Sequence, residues 1–418
     1  MKRSILVLLV AVPVVASAAF GQTAQNMTLL GEYSFPSITA VTVSGKVAYV
    51  TQTSSYGLYV LDLSNVASPS YKGSFSPSGT PYLLSLYLWQ NELFMGTNGP
   101  ELYIVDVSNP EYPKQIKYYE EYAYDVRVVG SRAYLAAATE GLIILDISNL
   151  PNISELGSYE PDGDAYGIAV RDTLAFLAYG EYGLRVVNMA DTFNPAEIAT
   201  FDTPGEARKV CLVGNFAYVA DWNGGLRIID VSNPRTPAEA GHYPPDPNTQ
   251  PVQYWDVMVV PPYAYVADAA FGVRAIDVSN PGSPQEVASY KLGNCSDIFV
   301  VKDTVYAAWS DGLAILKNDL AATGVKEIPL PRNFALLENY PNPVRDMTTF
   351  RFVLPLRSSI ALRVYDVTGR LVATVAQGTY APGEHTLRWN ASALPSGTYF
   401  YRLTWQGGKR EGRLQVVK

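Results

Sequence analysis

One segment recurs so regularly that it sets the fold before anything else is read. An apolar run ending in an acid or amide appears six times: LYVLD to Asp62, LYIVD to Asp106, LIILD to Asp146, LRVVN to Asn188, LRIID to Asp230 and VRAID to Asp277. A seventh, LAILK, ends at Lys317. The spacing of roughly 40 to 47 residues is that of a radial array of small sheets. In four of the six acid or amide endings the run opens an Asp-[Val/Ile/Leu]-Ser-Asn turn with Pro close behind.

Each repeat reads as four strands. In the third, Tyr124 to Val129, Ala133 to Ala138, Leu142 to Ile147 and Glu155 to Tyr159 are strands. Val, Ile, Tyr and Leu fill them, and Gly, Asn, Ser and Pro fill the turns, as hairpins require. The strands are almost continuously apolar, so both faces of each sheet are expected to be covered by neighbouring sheets. The seventh repeat lacks a fourth strand. Leu30-Gly31-Glu32-Tyr33 near the start matches the fourth strand Leu156-Gly157-Ser158-Tyr159. The N-terminal strand is therefore expected to complete the last blade, remove the exposed edges and close a seven-bladed β-propeller over residues 28–317. A linear β-solenoid gives no reason for complementary ends.

The repeats resemble the LVIVD repeat family of bacterial and archaeal propellers. The likeness rests on the LYIVD-type cores, the DVSNP turns and the AYVAD-type second strands; it speaks for the fold and not for a ligand.

The two ends of the chain carry other signals. Lys2 and Arg3, the apolar run Ile5 to Val15 and Ala16-Ser17-Ala18 have the layout of a secretory signal peptide over residues 1–18. The apolar run is well short of the ~20 residues a membrane span needs. Residues 318–337 read as a linker. Residues 338–418 read as an antiparallel sandwich of immunoglobulin type, with strands at Thr349 to Leu354, Ile360 to Val367, Leu371 to Val375, His385 to Trp389, Thr398 to Trp405 and Arg410 to Val417. This tail resembles the type A C-terminal sorting domain of the type IX secretion system. The matching stretches are FALLENYPNP, with Tyr340, Pro341, Asn342 and Pro343; VYDVTGR over Val364 to Arg370; Gly383-Glu384-His385-Thr386; and SGTYFYRL over Ser396 to Leu403. Val344 stands where the family has an aromatic. The resemblance implies a partner, the secretion machinery, and a destination outside or on the outer surface of a Gram-negative-type bacterium. It also implies that the tail is clipped and the body released or attached to lipopolysaccharide.

Charge narrows the partners. With Lys2 and Arg3 set aside, 18 basic residues face 34 acidic ones before Glu338, and 11 face 5 from there on. So acidic a body repels phosphate backbones, which excludes nucleic acid. Cys211 and Cys295 sit at different registers and are read as two thiols. His242 is placed at a blade rim and His385 in the tail, and no zinc spacing exists.

No catalytic motif is present. Asp62, Asp106, Asp146, Asp230 and Asp277 are read as turn-stiffening acids. A second set lies on loops expected at one mouth of the ring: Tyr56, Glu140, Glu181, Tyr182, Asp221, Trp222, Asp268, Phe271 and Asp311. Asp125, Asp256 and Asp297 start the innermost strands in one register, with Trp255 and Trp309 nearby and the insertion Pro244 to Tyr254 overhanging. Trp222, Trp255 and Trp309 are expected to gather beside carboxylates. Such a site suits sugar rings, and its carboxylates, Asp125, Asp256 and Asp297 above all, are oxygen donors of the kind that bind Ca²⁺; no other cofactor is implied. The opposing reading is that the acids solvate turns and the tryptophans plug gaps. Three functions follow: a surface-displayed or released propeller binding a glycan or protein, an extracellular polysaccharide hydrolase or lyase, or a structural component of a surface layer.

Overall fold

The computed structural model describes residues 24–322 and 335–418, apart from 53–56, 80, 246–252, 341, 343, 355–357, 381–382 and 406–407. The leader assigned to residues 1–18, Tyr56 and most of the 244–254 insertion lie outside the described residues. No helix among the described residues is long and apolar enough to cross a membrane.

The chain is all-β apart from one short 3-10 turn at Asp319–Ala322. The described residues before residue 323 form seven separate antiparallel sheets, none closing on itself. Their first strands are Ile38–Ser44, Leu83–Trp89, Asp125–Val129, Gly167–Arg171, Lys209–Val213, Tyr254–Val260 and Cys295–Val301. Each is followed by a second and third strand in hairpin order. In the third sheet these are Arg132–Ala136 and Leu142–Asp146, followed by Ser154–Tyr159. The seventh sheet has three strands from its own repeat, and its fourth is Met27–Ser34, paired with Gly312–Asn318. The preceding residues Ala24–Gln25 pair with Gln285–Lys291 of the sixth sheet. The N-terminus thus lies across the outer edges of two sheets.

A bulge shows that this borrowed strand is a true fourth strand. The register slips between Leu29 and Gly31. It slips at the equivalent point of the other fourth strands, for example between Glu155 and Gly157 and between Glu239 and Gly241. The glycine after the bulge is required by its neighbour. A Cβ on Gly157 would lie 2.4 Å from the Thr192 carbonyl of the next sheet, and one on Gly31 would lie 2.0 Å from that of Val66 in the first sheet. The 3–4 loop of the following sheet is seated against a bare backbone at both places.

Seven apolar clusters lie between successive sheets, from Tyr49, Leu58 and Leu93 between the first and second to Tyr265, Ala288 and Val305 between the sixth and seventh. The seventh cluster joins Tyr306, Leu313 and Ile315 of the last sheet to Val41, Val50 and Leu61 of the first. The first strands pack side by side in the same order, and Cys295–Val301 returns to Ile38–Ser44. This explains the near-continuous apolar character of the strands, since both faces of each sheet are covered.

The turn acids take the role read from the sequence. Asp62, Asp106, Asp146, Asp230 and Asp277 each accept the backbone N–H two residues on at 2.7–2.8 Å. Hydrogen bonds from Ser64 bring the Asp62 carboxyl down to about 2.

The tail forms two antiparallel sheets, one of three strands and one of four. Both contribute to one core, with Phe350 and Phe352 facing Leu362, Tyr401 and Leu403. The stretch read as a linker is entered from both ends: Asn318 belongs to the seventh sheet, and Ala335–Tyr340 pairs with Met347–Leu354. Asn342 bridges to the last strand, donating to the Arg413 carbonyl and accepting from the Gln415 N–H, both at 2.9 Å. Val344 is fully buried in the tail core, where its small side chain fits between Val416 and its neighbours. Pro341 and Pro343 lie outside the described residues.

Candidate functional site

Strand register places one pair of residues from every sheet at the entrance to the central space. Taking the residue opposite Thr51, Gly96, Ala136, Ala178, Ala220, Ala267 and Ala308, the pairs are Thr39-Ala40, Leu84-Ser85, Tyr124-Asp125, Tyr166-Gly167, Arg208-Lys209, Trp255-Asp256 and Ser296-Asp297. The second members, the inner ones, are buried apart from half-buried Lys209 and Asp297, and the first members, those of the mouth, are all half-buried.

The inner members form a charge network. Asp125 accepts the N–H of Ile168 on the next sheet at 3.0 Å. Asp256 does the same for Ile298 at 3.1 Å, and Asp297 for Val41 at 2.7 Å. Each carboxylate thus ties its first strand to that of the following sheet, and the Asp297 bond joins the last sheet to the first. Two cations balance them. Arg127 Nη1 lies 2.8 Å from Asp125, and Lys209 Nζ lies 3.1 Å from the same oxygen.

Lys209 reaches Asp125 by crossing the fourth sheet, and Gly167 lets it pass. A Cβ there would sit 2.7 Å from the Arg208 carbonyl and 2.9 Å from Lys209 Cα. Burial works against the Lys209 charge, but Asp125, then Asp256 and Asp297, hold its pKa above the usual lysine range. Burial would raise the Asp125 carboxyl, and Arg127 and Lys209 override it and hold it low. Burial and then the adjacent Asp256 carboxylate push the Asp297 carboxyl well above the usual carboxylate range.

No group of three or more His, Cys, Asp or Glu among the described residues is arranged to hold a metal ion.

The mouth is asymmetric. Ser296, Thr39 and Leu84 form one arc, where Ser296 donates to the Thr39 carbonyl and Thr39 to the Leu83 carbonyl. The opposite arc is aromatic. Tyr124 meets Tyr166 edge-on at 5.4 Å, and Trp222 meets Trp255 edge-on at 4.3 Å. Between the pairs lies the Arg208 guanidinium, 4.2 Å from the Tyr166 ring centre, 4.3 Å from that of Trp222 and 5.7 Å from that of Trp255. Arg208 also pairs with Glu206, and the Tyr166 hydroxyl donates to Asp164 at 3.1 Å.

Trp222 reaches this arc from the 2–3 loop of the fifth sheet and bridges to Tyr254 of the sixth. Its φ is +46°, in the left-handed region, where the equivalent loops carry Ala138 and Gly180. A bulky side chain at such a position is a backbone outlier.

The remaining sequence candidates fall elsewhere. Trp309 packs into the core between the sixth and seventh sheets, beside Val273 and Tyr290. Asp221 and Asp268 are fully buried. Asp221 accepts from Thr203 at 2.5 Å and from the Gly205 N–H at 2.9 Å, and burial raises its carboxyl to about 6. Asp268 accepts from Arg274 Nε at 2.8 Å and from the Ala270 N–H at 2.9 Å. Both acids are committed to holding their loops. Phe271 lies 4.2 Å under the Arg274 guanidinium. Tyr182 is exposed and lies 5.1 Å under that of Arg185, Glu181 and Asp311 are exposed, and Glu140 is half-buried. His242 is at the rim, 3.2 Å from Glu239. Cys211 and Cys295 are not joined in a disulfide.

Sequence reasoning found Trp222, Trp255 and the three inner aspartates but passed over Tyr124, Tyr166, Arg127, Arg208 and Lys209. The signal was available. Aligning the two residues that open each first strand puts Tyr124, Tyr166, Arg208 and Trp255 in one column and Lys209 among the aspartates.

Comparison with known proteins agrees with the fold. The LVIVD repeat model matches residues 38–76, 93–121, 120–160, 204–244 and 253–291. The model of the secretion system C-terminal sorting domain matches residues 338–417. The fourth sheet lies outside the matched repeats yet keeps their register. Among solved structures, the β-propeller domain of Myceliophteria thermophila Cps50 (Swd1) is similar, with a TM-score of 0.57 at 11% identity, over 70% of this chain and 99% of that one. The computationally designed Ika8 protein has a TM-score of 0.51 at 10% identity, also over 70% of this chain and 99% of that one. No curated protein matches the chain.

Proposed function

We propose that this chain, which carries LVIVD repeats and a sorting domain that marks proteins secreted through the type IX system to the cell surface or outside, displays a saccharide-binding propeller there. In this reading the seven sheets are blades of one closed ring, sealed by Met27–Ser34. The tail is an immunoglobulin-like sandwich that engages the secretion machinery. The ligand lies across the aromatic arc of the mouth, with the ring faces covering sugar C–H surface and Asp164 and Glu206 accepting hydroxyl protons.

The observation that carries the reading is the convergence of Tyr124, Tyr166, Trp222 and Trp255 on one side of the mouth, with Trp222 held there in an unfavourable backbone conformation. Ala138 and Gly180 hold the same left-handed conformation at the equivalent loops, so the turn sets the backbone, and the large aromatic side chain is what sets the Trp222 loop apart. The test is retention of the full secreted chain on immobilised polysaccharides. Trp222→Ala and Trp255→Ala should each weaken binding by about 2 kcal/mol, the threshold of a hot spot, or roughly 30-fold in Kd. Equal retention of wild type and both variants, with melting curves showing folded protein, removes the site.

A further inference from the structure

Arg208 is unlike the rest of the mouth. It is the one charged residue among the seven that open the first strands there. Its guanidinium lies over the rings of both Tyr166 and Trp222, which confines it and leaves its N–H groups as the part that can make hydrogen bonds. One of them pairs with Glu206. The Nε–H is shielded from solvent and has no hydrogen-bond partner. A buried donor without an acceptor is costly and uncommon in a settled structure. The cations beneath it do not share its situation, since Arg127 and Lys209 are spent on Asp125.

A guanidinium confined between rings, with an unused donor, is prepared for a planar two-oxygen acceptor. Aromatic faces on either side of it fit the body of a sugar ring. Resting on the saccharide reading above, we propose that Arg208 determines specificity by receiving the carboxylate of a uronate unit, so that the ligand is an acidic polysaccharide. Glu206 then competes with the ligand for the same fork and holds it in place when the site is empty. The acidic body opposes any polyanion at long range, so binding of one would report a local contact and not a general charge attraction.

The test uses the full secreted chain and three probes of matched length: polygalacturonate, its fully methyl-esterified form, and polyglutamate. Polygalacturonate should bind, and the ester should bind at least about tenfold more weakly, the loss expected of one charge-assisted contact. Arg208→Lys keeps the charge and the stem but loses the planar fork. It should lower polygalacturonate affinity by about tenfold or more and ester affinity by clearly less. Glu206→Gln should raise polygalacturonate affinity, because it removes the competing carboxylate. Thermal melting confirms that both variants are folded. Equal binding of acid and ester overturns the carboxylate assignment, and the saccharide site survives only if Trp222→Ala still abolishes binding. Binding of polyglutamate with the same dependence on Arg208 overturns the sugar assignment. Retention of none of the probes overturns the inference outright.

Discussion

Replacing Trp222 by alanine and by glycine should give an order of stabilities opposite to that of an ordinary strand or loop. At most positions Gly is the less stable of the two, because it loses more backbone freedom on folding, by about 0.4–1 kcal/mol. Trp222 has φ +46°, where an L residue carries a penalty of roughly 1–2 kcal/mol that Gly escapes. The difference favours Trp222→Gly over Trp222→Ala by about 0.5–1 kcal/mol. Both variants lose the edge contact with Trp255, worth about 0.5–1.5 kcal/mol, and the Arg208 contact, worth about 0.5–1 kcal/mol, so those losses cancel in the comparison. Guanidinium denaturation of the two variants, with the slope checked for constancy, measures the difference directly. Ala138→Gly, at the equivalent loop with φ +48°, should be stabilising for the same reason. A Trp222→Ala protein more stable than Trp222→Gly would refute the strained-backbone argument, and with it the view that the loop holds tryptophan for a purpose other than packing.

Three further outcomes follow from the inner ring and its loops. Gly167→Ala places a methyl group 2.7 Å from the Arg208 carbonyl and should cost about 1–3 kcal/mol, the range for overpacking, read as a lower denaturation midpoint. Lys209→Met leaves Asp125, Asp256 and Asp297 without their shared cation and should cost about 3–5 kcal/mol at neutral pH, with part of the loss recovered on acidification; a loss independent of pH would contradict the network. The Asp221 carboxyl is raised in the fold from 3.8 to about 6, so the folded state holds its proton after the unfolded chain has released it. Its contribution to stability is therefore greatest below about pH 4, declines as pH rises to about 6 and is level above. Asp221→Asn should remove that slope in denaturation curves taken between pH 4 and 7.

The fold was legible because the repeat states it many times. Seven endpoints, a missing fourth strand and a matching LGEY segment at the other end are enough to place Met27–Ser34 on the seventh sheet, and the shared bulge beside Gly31 and Gly157 bears that out. The site was legible only where a residue type carried its own signal. Trp255 and the aspartates stood out as tryptophan and acid in a repeating position. Arg208 and Lys209 did not, because their meaning comes from what faces them across the ring, and Lys209 depends on the absence of a side chain at Gly167. Asp221 and Asp268 misled for the converse reason. Both lie on mouth-side loops, but short turns fold their carboxylates inward onto backbone N–H groups and Arg274. Trp309 follows a bulge between Cys295 and Asp297, and it packs into the apolar layer shared with the sixth sheet instead of the mouth.

The indole N–H resonances of the six tryptophans, followed by NMR as a saccharide ligand is added to the intact secreted chain, test the mouth most directly. Saturable shifts confined to Trp222 and Trp255, with Trp89, Trp309 in its core and the tail tryptophans Trp389 and Trp405 unmoved, are the expected result. A ligand that binds while Trp222 and Trp255 stay unperturbed contradicts the assignment of the aromatic arc as the place of binding.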